Sequence, residues 1–373
     1  MIFYGRSIPV ETLLERASAT TGWEKEWLDF LEEWYAPGDS IVAHTSGSTG
    51  KPKPVRLTKE FVAASARRTL LYFRLKNNDR VLHCLPSRYI AGKLMIVRSL
   101  LGKLDLHAAD PSTDFHLLDQ ESFRFAAMVP NQVSKILDNE NGPARLQHIQ
   151  QLLIGGGPIP PSLQERLRPV STACFSSYAT TETATHIAIR KINGEGADDY
   201  YHCMEGIKVS LSPEGCLQIH VPGLDKAAMQ ENENDQHRLY AGHKNPGVSA
   251  EPGPDDPYLQ TTDLAEIIDE KTFRILGRAD HMIISGGMKF SPEQLEQKLE
   301  KVIMQPFMIS SQPDDKLGEQ IVLLVEGADD PQLIPGVREI CRQHLDSYEQ
   351  PRKILFIPKL PRTPNGKLRR GAK

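Results

Sequence analysis

The sequence predicts an α/β protein: a large domain of parallel sheets, a β-rich segment completing it, and a small α+β domain at the C-terminal end. Three observations lead there. Over the first two thirds of the chain, short apolar runs alternate with helix-like stretches, the order expected of parallel strands joined by crossover helices. After about residue 200 the texture changes to paired strand-like runs around short turns. Near residue 291 a strong helix start opens a final stretch long enough for a compact unit of its own.

Val81 to Leu85 reads as a strand that stops at Pro86. Phe125 to Val129 is a second, stopped by Pro130 and followed by Val133, Ile136 and Leu137 at helical spacing. Gln151 to Ile154 is a third; it runs into Gly155-Gly156-Gly157 and then a helix opened by Pro160-Pro161. Thr172 to Ser176 is the fourth. Gly206 to Leu211 and Cys216 to Val221 flank Ser212-Pro213-Glu214-Gly215, and Leu264 to Ile268 and Thr272 to Leu276 flank Asp269-Glu270-Lys271; both are hairpin patterns. They predict a small barrel or sheet. Between them, residues 225–257 are polar, Pro/Gly-rich and poorly periodic, and part of this stretch reads as loop. Ser291-Pro292-Glu293-Gln294 combines a Ser N-cap, a Pro at the first helical position and a Gln three residues after the cap, and Leu295, Leu299, Val302 and Ile303 continue at helical spacing.

A length of 373 residues suits one large and one small domain. A formal net charge of −4 gives no electrostatic reason to expect nucleic acid or an anionic membrane as partner. No apolar run approaches the length of a membrane span, and Met1 to Pro9 lacks the basic start and apolar core of a signal peptide. Cys84, Cys174, Cys203, Cys216 and Cys341 are scattered and form no CxxC pair. They read as reduced thiols, with neither a disulfide framework nor a zinc site, so the expectation is a cytoplasmic enzyme.

The chemistry-bearing segment is Thr45-Ser46-Gly47-Ser48-Thr49-Gly50-Lys51-Pro52-Lys53. Its glycines let amide groups turn inward toward phosphate oxygens, its hydroxyls add rotatable donors, and its lysines add charge. The Walker spacing is absent, because Gly47 and Gly50 stand too close together and Pro52 follows Lys51. Alone, it reads equally well as a flexible surface turn. Further segments point the same way as the phosphate-loop reading. Ser177 to Thr183 puts an acid and several hydroxyls after the fourth strand, where α/β sheets bind ligands. Tyr258 to Asp263 ends in an acid suited to a ribose hydroxyl pair, Gly277-Arg278-Ala279-Asp280 leads to Ser285-Gly286-Gly287, and Pro361 to Lys367 sets one lysine in a rigid turn. Each has an ordinary explanation as a cap, a turn or a surface ion pair; five in this order are hard to assign to chance.

From residue 44 onward these motifs resemble the adenylate-forming superfamily of acyl-CoA synthetases, peptide-synthetase adenylation domains and luciferases. The resemblance implies that superfamily's fold: a large domain over 1–279, a mobile small domain over 281–373, and a hinge at Asp280. It implies that Thr45, Ser46, Gly47, Ser48, Thr49, Gly50 and Lys53 hold phosphate, and that Gly156 and Gly157 line the adenine and acyl site. Tyr178, Asp263 and Arg278 would contact nucleotide, Thr181 and Glu182 would form the Thr-Glu pair with Glu182 supporting Mg²⁺, and Lys367 would be the catalytic lysine. ATP, Mg²⁺ and coenzyme A follow as cofactor and co-substrates. Some positions depart from the pattern: Pro54, Ala179, Thr262, His281 and Ile284 replace more usual residues, and the segment before the phosphate loop is short, which implies an abbreviated N-terminal part.

Within the superfamily, Arg88 to Leu100, Met128 to Gln132 and Leu152 to Pro158 resemble the compact o-succinylbenzoate–CoA ligases of menaquinone synthesis, with Tyr89 in place of a usual histidine. Such an acid has a second carboxylate that is not activated, and Arg88, Lys93 and His186 are candidates to meet it. Each also reads as surface charge or a satisfied histidine. Other readings are an aryl- or short-acyl-CoA ligase, a stand-alone enzyme loading a carrier protein, and a nucleotide-binding protein without catalysis. A homodimer stays open.

Overall fold

A computed structural model of the chain describes residues 1–44, 54–111, 115–224, 258–328 and 330–362, with Leu368, Arg370 and the backbone of Arg238–Tyr240. Among these residues fourteen strands share one sheet. One half is parallel: Asp105–Ala108, Arg80–His83, Phe123–Met128, Ile149–Ile154 and Ala173–Ala179 lie side by side in that spatial order. The four strands expected from the sequence are all present here. Successive residues along them feed two different cores. Val81, Phe125, Leu153 and Phe175 pack on one face, Leu82, Ala126, Leu152 and Cys174 on the other, as a parallel sheet covered on both sides requires. Helices Lys59–Tyr72 and Ile90–Gly102 bury residues against the first face, and Pro130–Leu137 and Pro161–Leu167 against the second.

Two features fell outside the sequence reading. Ile2–Phe3 pairs in parallel with Asp105 and Leu106, and helix Gly22–Tyr35 buries Trp27, Leu28, Phe30 and Leu31 in the first core. The fourth strand also runs on to Ala179, because His186–Lys191 pairs against it antiparallel and extends the ladder through Tyr178.

From that pairing outward the sheet is antiparallel: Tyr201–Cys203, Thr272–Arg278, Tyr258–Asp269, Cys216–His220 and Lys208–Leu211 follow in order. Both expected hairpins are found. Within the stretch read partly as loop, Arg238–Tyr240 forms a strand against Tyr258, Leu259 and Gln260.

A separate five-stranded sheet holds Ile283–Ser285, Met288–Phe290, Phe307–Asp314, Gly318–Glu326 and Lys353–Ile357. Helices Pro292–Leu299 and Ile334–His344 close its own core around Leu295, Leu299, Ile321, Leu323 and Cys341. The expected Ser291 cap is made: its hydroxyl accepts from the Gln294 amide. No described helix is long and apolar enough to cross a membrane.

Two predictions concern this scaffold. Helix Ile90–Gly102 starts hard against the preceding loop, where a Cβ on Gly92 would stand 2.3 Å from the Pro86 carbonyl oxygen and 2.9 Å from Ser87 Cα. Backbone atoms give way poorly, so Gly92→Ala should lower unfolding stability by about 2 kcal/mol, read as a fall in denaturant midpoint. An unchanged midpoint would remove the close-packing account. In the small unit, burial pushes the Glu300 carboxyl up to about 7, with the Glu296 charge adding to it. The folded-state value is raised, so this group's stabilising contribution is present at low pH and is lost as pH rises toward 7. Glu300→Gln should therefore gain on the natural protein between pH 5 and pH 8, by about 1 kcal/mol after solvent screening of a half-buried group. Thermal unfolding at the two pH values checks it; a constant offset counts against it.

Candidate active site

The site is built where the sheet changes from parallel to antiparallel. Beyond Ala179 the chain turns back within six residues. The Thr183 amide donates to Thr180 Oγ1 at 3.3 Å, the Thr183 hydroxyl donates to the Thr185 carbonyl at 2.8 Å, and the Ala184 amide donates to the Thr181 carbonyl at 3.0 Å. Ala184 takes a left-handed φ of 61°, at a cost on the order of 1–2 kcal/mol for a residue with a Cβ. The tight turn holds Glu182 only 3% exposed, beside Thr181.

Next to it stands a five-residue polar cluster. The Tyr178 hydroxyl donates to Asp263 Oδ2 at 2.5 Å. Asp263 lies opposite Arg278 in the strand register, with Arg278 Nη1 3.7 Å from Asp263 Oδ1. Arg278 Nη2 donates to Thr262 Oγ1 at 2.7 Å, so the threonine that departs from the usual pattern supplies an acceptor. The guanidinium also clasps Asp280, Nε to Oδ1 at 2.8 Å and Nη2 to Oδ2 at 3.0 Å. Burial and the neighbouring Asp263 charge push the Tyr178 hydroxyl well above its usual range, so it remains a donor. Burial works upward on Asp280, but the Arg278 guanidinium outweighs it and holds that carboxyl below the usual range.

Gly155 to Gly157 leaves the adjacent strand. The Gly155 amide donates to the Met128 carbonyl at 3.0 Å, Gly156 has a φ of 80°, and a Cβ on Gly155 would stand 2.3 Å from Ser177 Oγ. The antiparallel pair Ser40–His44 and Pro54–Thr58 ends at His44 and Pro54, which brings together the two residues that flank segment 45–53. Thr45, Ser46, Gly47, Ser48, Thr49, Gly50 and Lys53 themselves lie outside the described residues, as does Lys367. The residues flanking 363–367, Arg362 and Leu368, meet in an antiparallel bridge.

The three acyl-site candidates are placed differently. Arg88, its side chain 60% exposed, donates to Glu26 at 3.0 Å. Lys93 is buried, 2.5 Å from Glu33 and over the Phe30 ring. Both charges are thus matched by helix Gly22–Tyr35, and both residues line a cavity of about 250 Å³ with Phe30, Glu33, His44 and Ser87. His186 is buried between two threonines, Nδ1 3.1 Å from Thr185 Oγ1 and Nε2 3.1 Å from Thr69 Oγ1. Burial, then Arg98 and Arg68, drive its pKa well below the usual value, so the ring is neutral.

A set of donors and acids where an α/β sheet changes from parallel to antiparallel, followed by a separate small α+β unit, is the architecture of an adenylate-forming enzyme. The chain belongs to the AMP-binding enzyme family, whose sequence profile matches residues 7–210, with the profile of the family's C-terminal domain matching residues 308–367. The 2-succinylbenzoate–CoA ligase of Listeria monocytogenes is 25% identical over 356 residues, 92% of this chain and 71% of that one. An acyl-CoA synthetase (AMP-forming)/AMP-acid ligase II-like protein from Dyadobacter fermentans is 30% identical with a TM-score of 0.58, covering 94% of this chain and 95% of the other. The o-succinylbenzoate coenzyme A synthetase of Bacillus subtilis, solved with ATP and magnesium ion, has the same fold at 21% identity and a TM-score of 0.67, covering 97% and 81%.

Proposed function

We propose that the chain is an ATP-dependent acid–CoA ligase working through an acyl-adenylate, and that its acid is o-succinylbenzoate. The cluster of Tyr178, Asp263, Arg278 and Asp280 beside the buried Glu182 turn carries the first part of this reading. The name of the Listeria relative and the motifs from Arg88 to Leu100 support the second.

In the first step an oxygen of the acid's carboxylate attacks the α-phosphorus of ATP, the bond to the bridging oxygen breaks, and diphosphate leaves. Asp263, steadied by Tyr178, accepts from the ribose hydroxyls. Arg278 contributes its charge on the nucleotide side of the hinge. The amides of Gly156 and Gly157 face the adenine and acyl site, and Thr45 to Lys53 wraps the leaving phosphates. Lys367 offsets the negative charge that builds at the α-phosphate, so its help concentrates in the transition state. Glu182 with Thr181 offers hard oxygen donors. Among the described residues no group of three or more His, Cys, Asp or Glu forms a metal site by itself, and one carboxylate plus substrate phosphates is how Mg²⁺ is usually held. Bound there, the ion would shield phosphate charge.

In the second step the coenzyme A sulfur attacks the acyl carbon, the bond to AMP breaks, and the thiol proton passes to water. This needs other groups at the carbonyl. Rotation of residues 281–373 about Asp280 withdraws Lys367 and admits the thiol. The five cysteines are free thiols, which supports a reducing, cytoplasmic setting for this chemistry.

The test is AMP release from ATP with coenzyme A across a panel of acids. Turnover should be highest with o-succinylbenzoate. Turnover only with benzoate or a fatty acid would refute the acid assignment, and turnover only with an acyl-carrier protein as acceptor would refute the coenzyme A assignment.

A further inference from the structure

The segment with Lys367 is held from behind. Arg362 and Leu368 flank residues 363–367, and Arg370, two positions past Leu368, comes down on helix Pro292–Leu299. All three nitrogens of its guanidinium face an acceptor. Nη2 donates to Glu296 Oε2 at 2.5 Å, Nη1 donates to the Ile309 carbonyl at 2.7 Å, and Nε stands 3.3 Å from Glu293 Oε1. Glu296 Oε1 accepts from the Ile309 amide at 2.7 Å, so guanidinium, carboxylate and strand Phe307–Asp314 close a ring. A planar guanidinium held at three corners has one orientation, which a lysine's single point charge would not impose.

Glu293 has a second task. Its Oε1 also accepts from His281 Nδ1 at 2.6 Å. His281 is the residue after Asp280, the proposed pivot, and it is one of the positions where this chain departs from the superfamily's pattern. Glu293 Oε2 is 3.2 Å from the Ser291 hydroxyl, which also lies 3.3 Å from the Leu276 carbonyl oxygen. Leu276 belongs to strand Thr272–Arg278, on the other side of the pivot. The fit there is close: a Cβ on Gly277 would stand 2.3 Å from Ser291 Oγ and 3.0 Å from Glu293 Oε2.

One carboxylate thus meets the chain on both sides of the pivot and behind the segment with Lys367. Burial works upward on Glu293, but the His281 hydrogen bond and the Arg370 charge outweigh it and hold the carboxyl below its usual range. It is therefore ionised at neutral pH and serves both donors at once. Charge-assisted bonds of this kind are stronger and more directional than neutral ones.

We propose that Glu293 and Arg370 are positioning residues that make the placing of Lys367 depend on the hinge. With His281 and Arg370 on one carboxylate, the exit from residues 363–367 is fixed. A turn at Asp280 draws His281 off Glu293 and loosens that hold. The inference rests on the acyl-adenylating reading above and deepens it, because both residues act through Lys367 and so on the first half-reaction alone.

The test uses the whole enzyme with o-succinylbenzoate, or with whichever acid of the panel it activates best. Glu293→Gln keeps an acceptor for His281 and removes the charge facing Arg370. ATP–pyrophosphate exchange should fall about tenfold at an unchanged KM for ATP, while coenzyme A-dependent consumption of synthetic acyl-adenylate stays within about twofold. Arg370→Lys, which keeps the charge and loses the plane, should show the same split. In a Lys367→Ala background, Glu293→Gln should cause no further loss, since residues acting as a unit are not additive. A second tenfold loss there, or equal losses in both half-reactions, would make Glu293 a merely structural residue and overturn the inference. His281→Ala, at a half-buried position, gives a reading even if Glu293→Gln fails to fold. It should lower exchange about threefold and spare acyl-adenylate consumption; unchanged exchange would remove the hinge from the account. If the natural enzyme shows no exchange with any acid, the ligase reading fails and the positioning role falls with it. If it does exchange and the variants match it, the positioning role fails while the ligase reading stands.

Discussion

Replacing Lys367 by alanine should abolish acyl-adenylate formation while sparing thioester formation from preformed acyl-adenylate. Joining a carboxylate to the α-phosphate brings anions together as negative charge builds on phosphorus, and a cation placed there acts mainly on the transition state. The loss should be at least on the order of a hundredfold in the adenylation rate, the scale for removing one such electrostatic contact. Thiol attack on the acyl carbon develops its charge elsewhere and, in the proposed cycle, proceeds with the small domain turned away. ATP–pyrophosphate exchange reads the first step, and coenzyme A-dependent consumption of synthetic acyl-adenylate reads the second. Equal loss in both would sink the two-orientation mechanism.

Asp263→Ala should raise the KM for ATP and lower kcat/KM by about a hundredfold or more. The change removes the acceptor of the Tyr178 hydroxyl and one of the two carboxylates facing Arg278. A part-buried donor left without its acceptor costs about 1–3 kcal/mol, and loss of the proposed ribose contact would add to that. Tyr178→Phe keeps the carboxylate and should cost about tenfold, a single hydrogen bond to a charged group. Because burial and Asp263 keep the Tyr178 hydroxyl protonated well past its usual range, the KM for ATP should show no inflection from this residue between pH 6 and pH 9. A KM within threefold of the natural enzyme for Asp263→Ala would remove Asp263 from the nucleotide site.

The sequence carried the parallel strands, both hairpins and the Ser291 cap, because each depends on neighbours a few residues away. Phe123–Met128 ends just ahead of Pro130, and Ser291 finds its amide at Gln294, so local chemistry decides both. Long-range pairing was legible only in part. Tyr178 and Asp263 stand in separate motifs 85 residues apart, and the strand register alone sets Asp263 opposite Arg278. Arg88 and Lys93 stood out as charges near an expected acyl pocket, yet their counter-charges, Glu26 and Glu33, lie on a helix about which the apolar pattern said little. Arg98 interrupts the apolar run from Leu94 to Leu101, a signal that a cation is carried into the core, but reading it requires knowing that both faces of that helix are covered.

Arg278 reaches in two directions at once. One edge of its guanidinium faces Thr262 and Asp263, and another clasps Asp280 at the proposed pivot. Under linkage, any nucleotide that pulls on Arg278 in one domain orientation more than in the other shifts the balance between orientations by that difference, and the orientation alters nucleotide affinity by an equal factor. ATP, acyl-adenylate and AMP each present a different charge to this one side chain. In the proposed cycle the order of the two half-reactions would then be kept by the thermodynamics of a shared arginine, and Asp280→Asn, which loosens the clasp, should weaken the coupling between which nucleotide is bound and which way the small domain points.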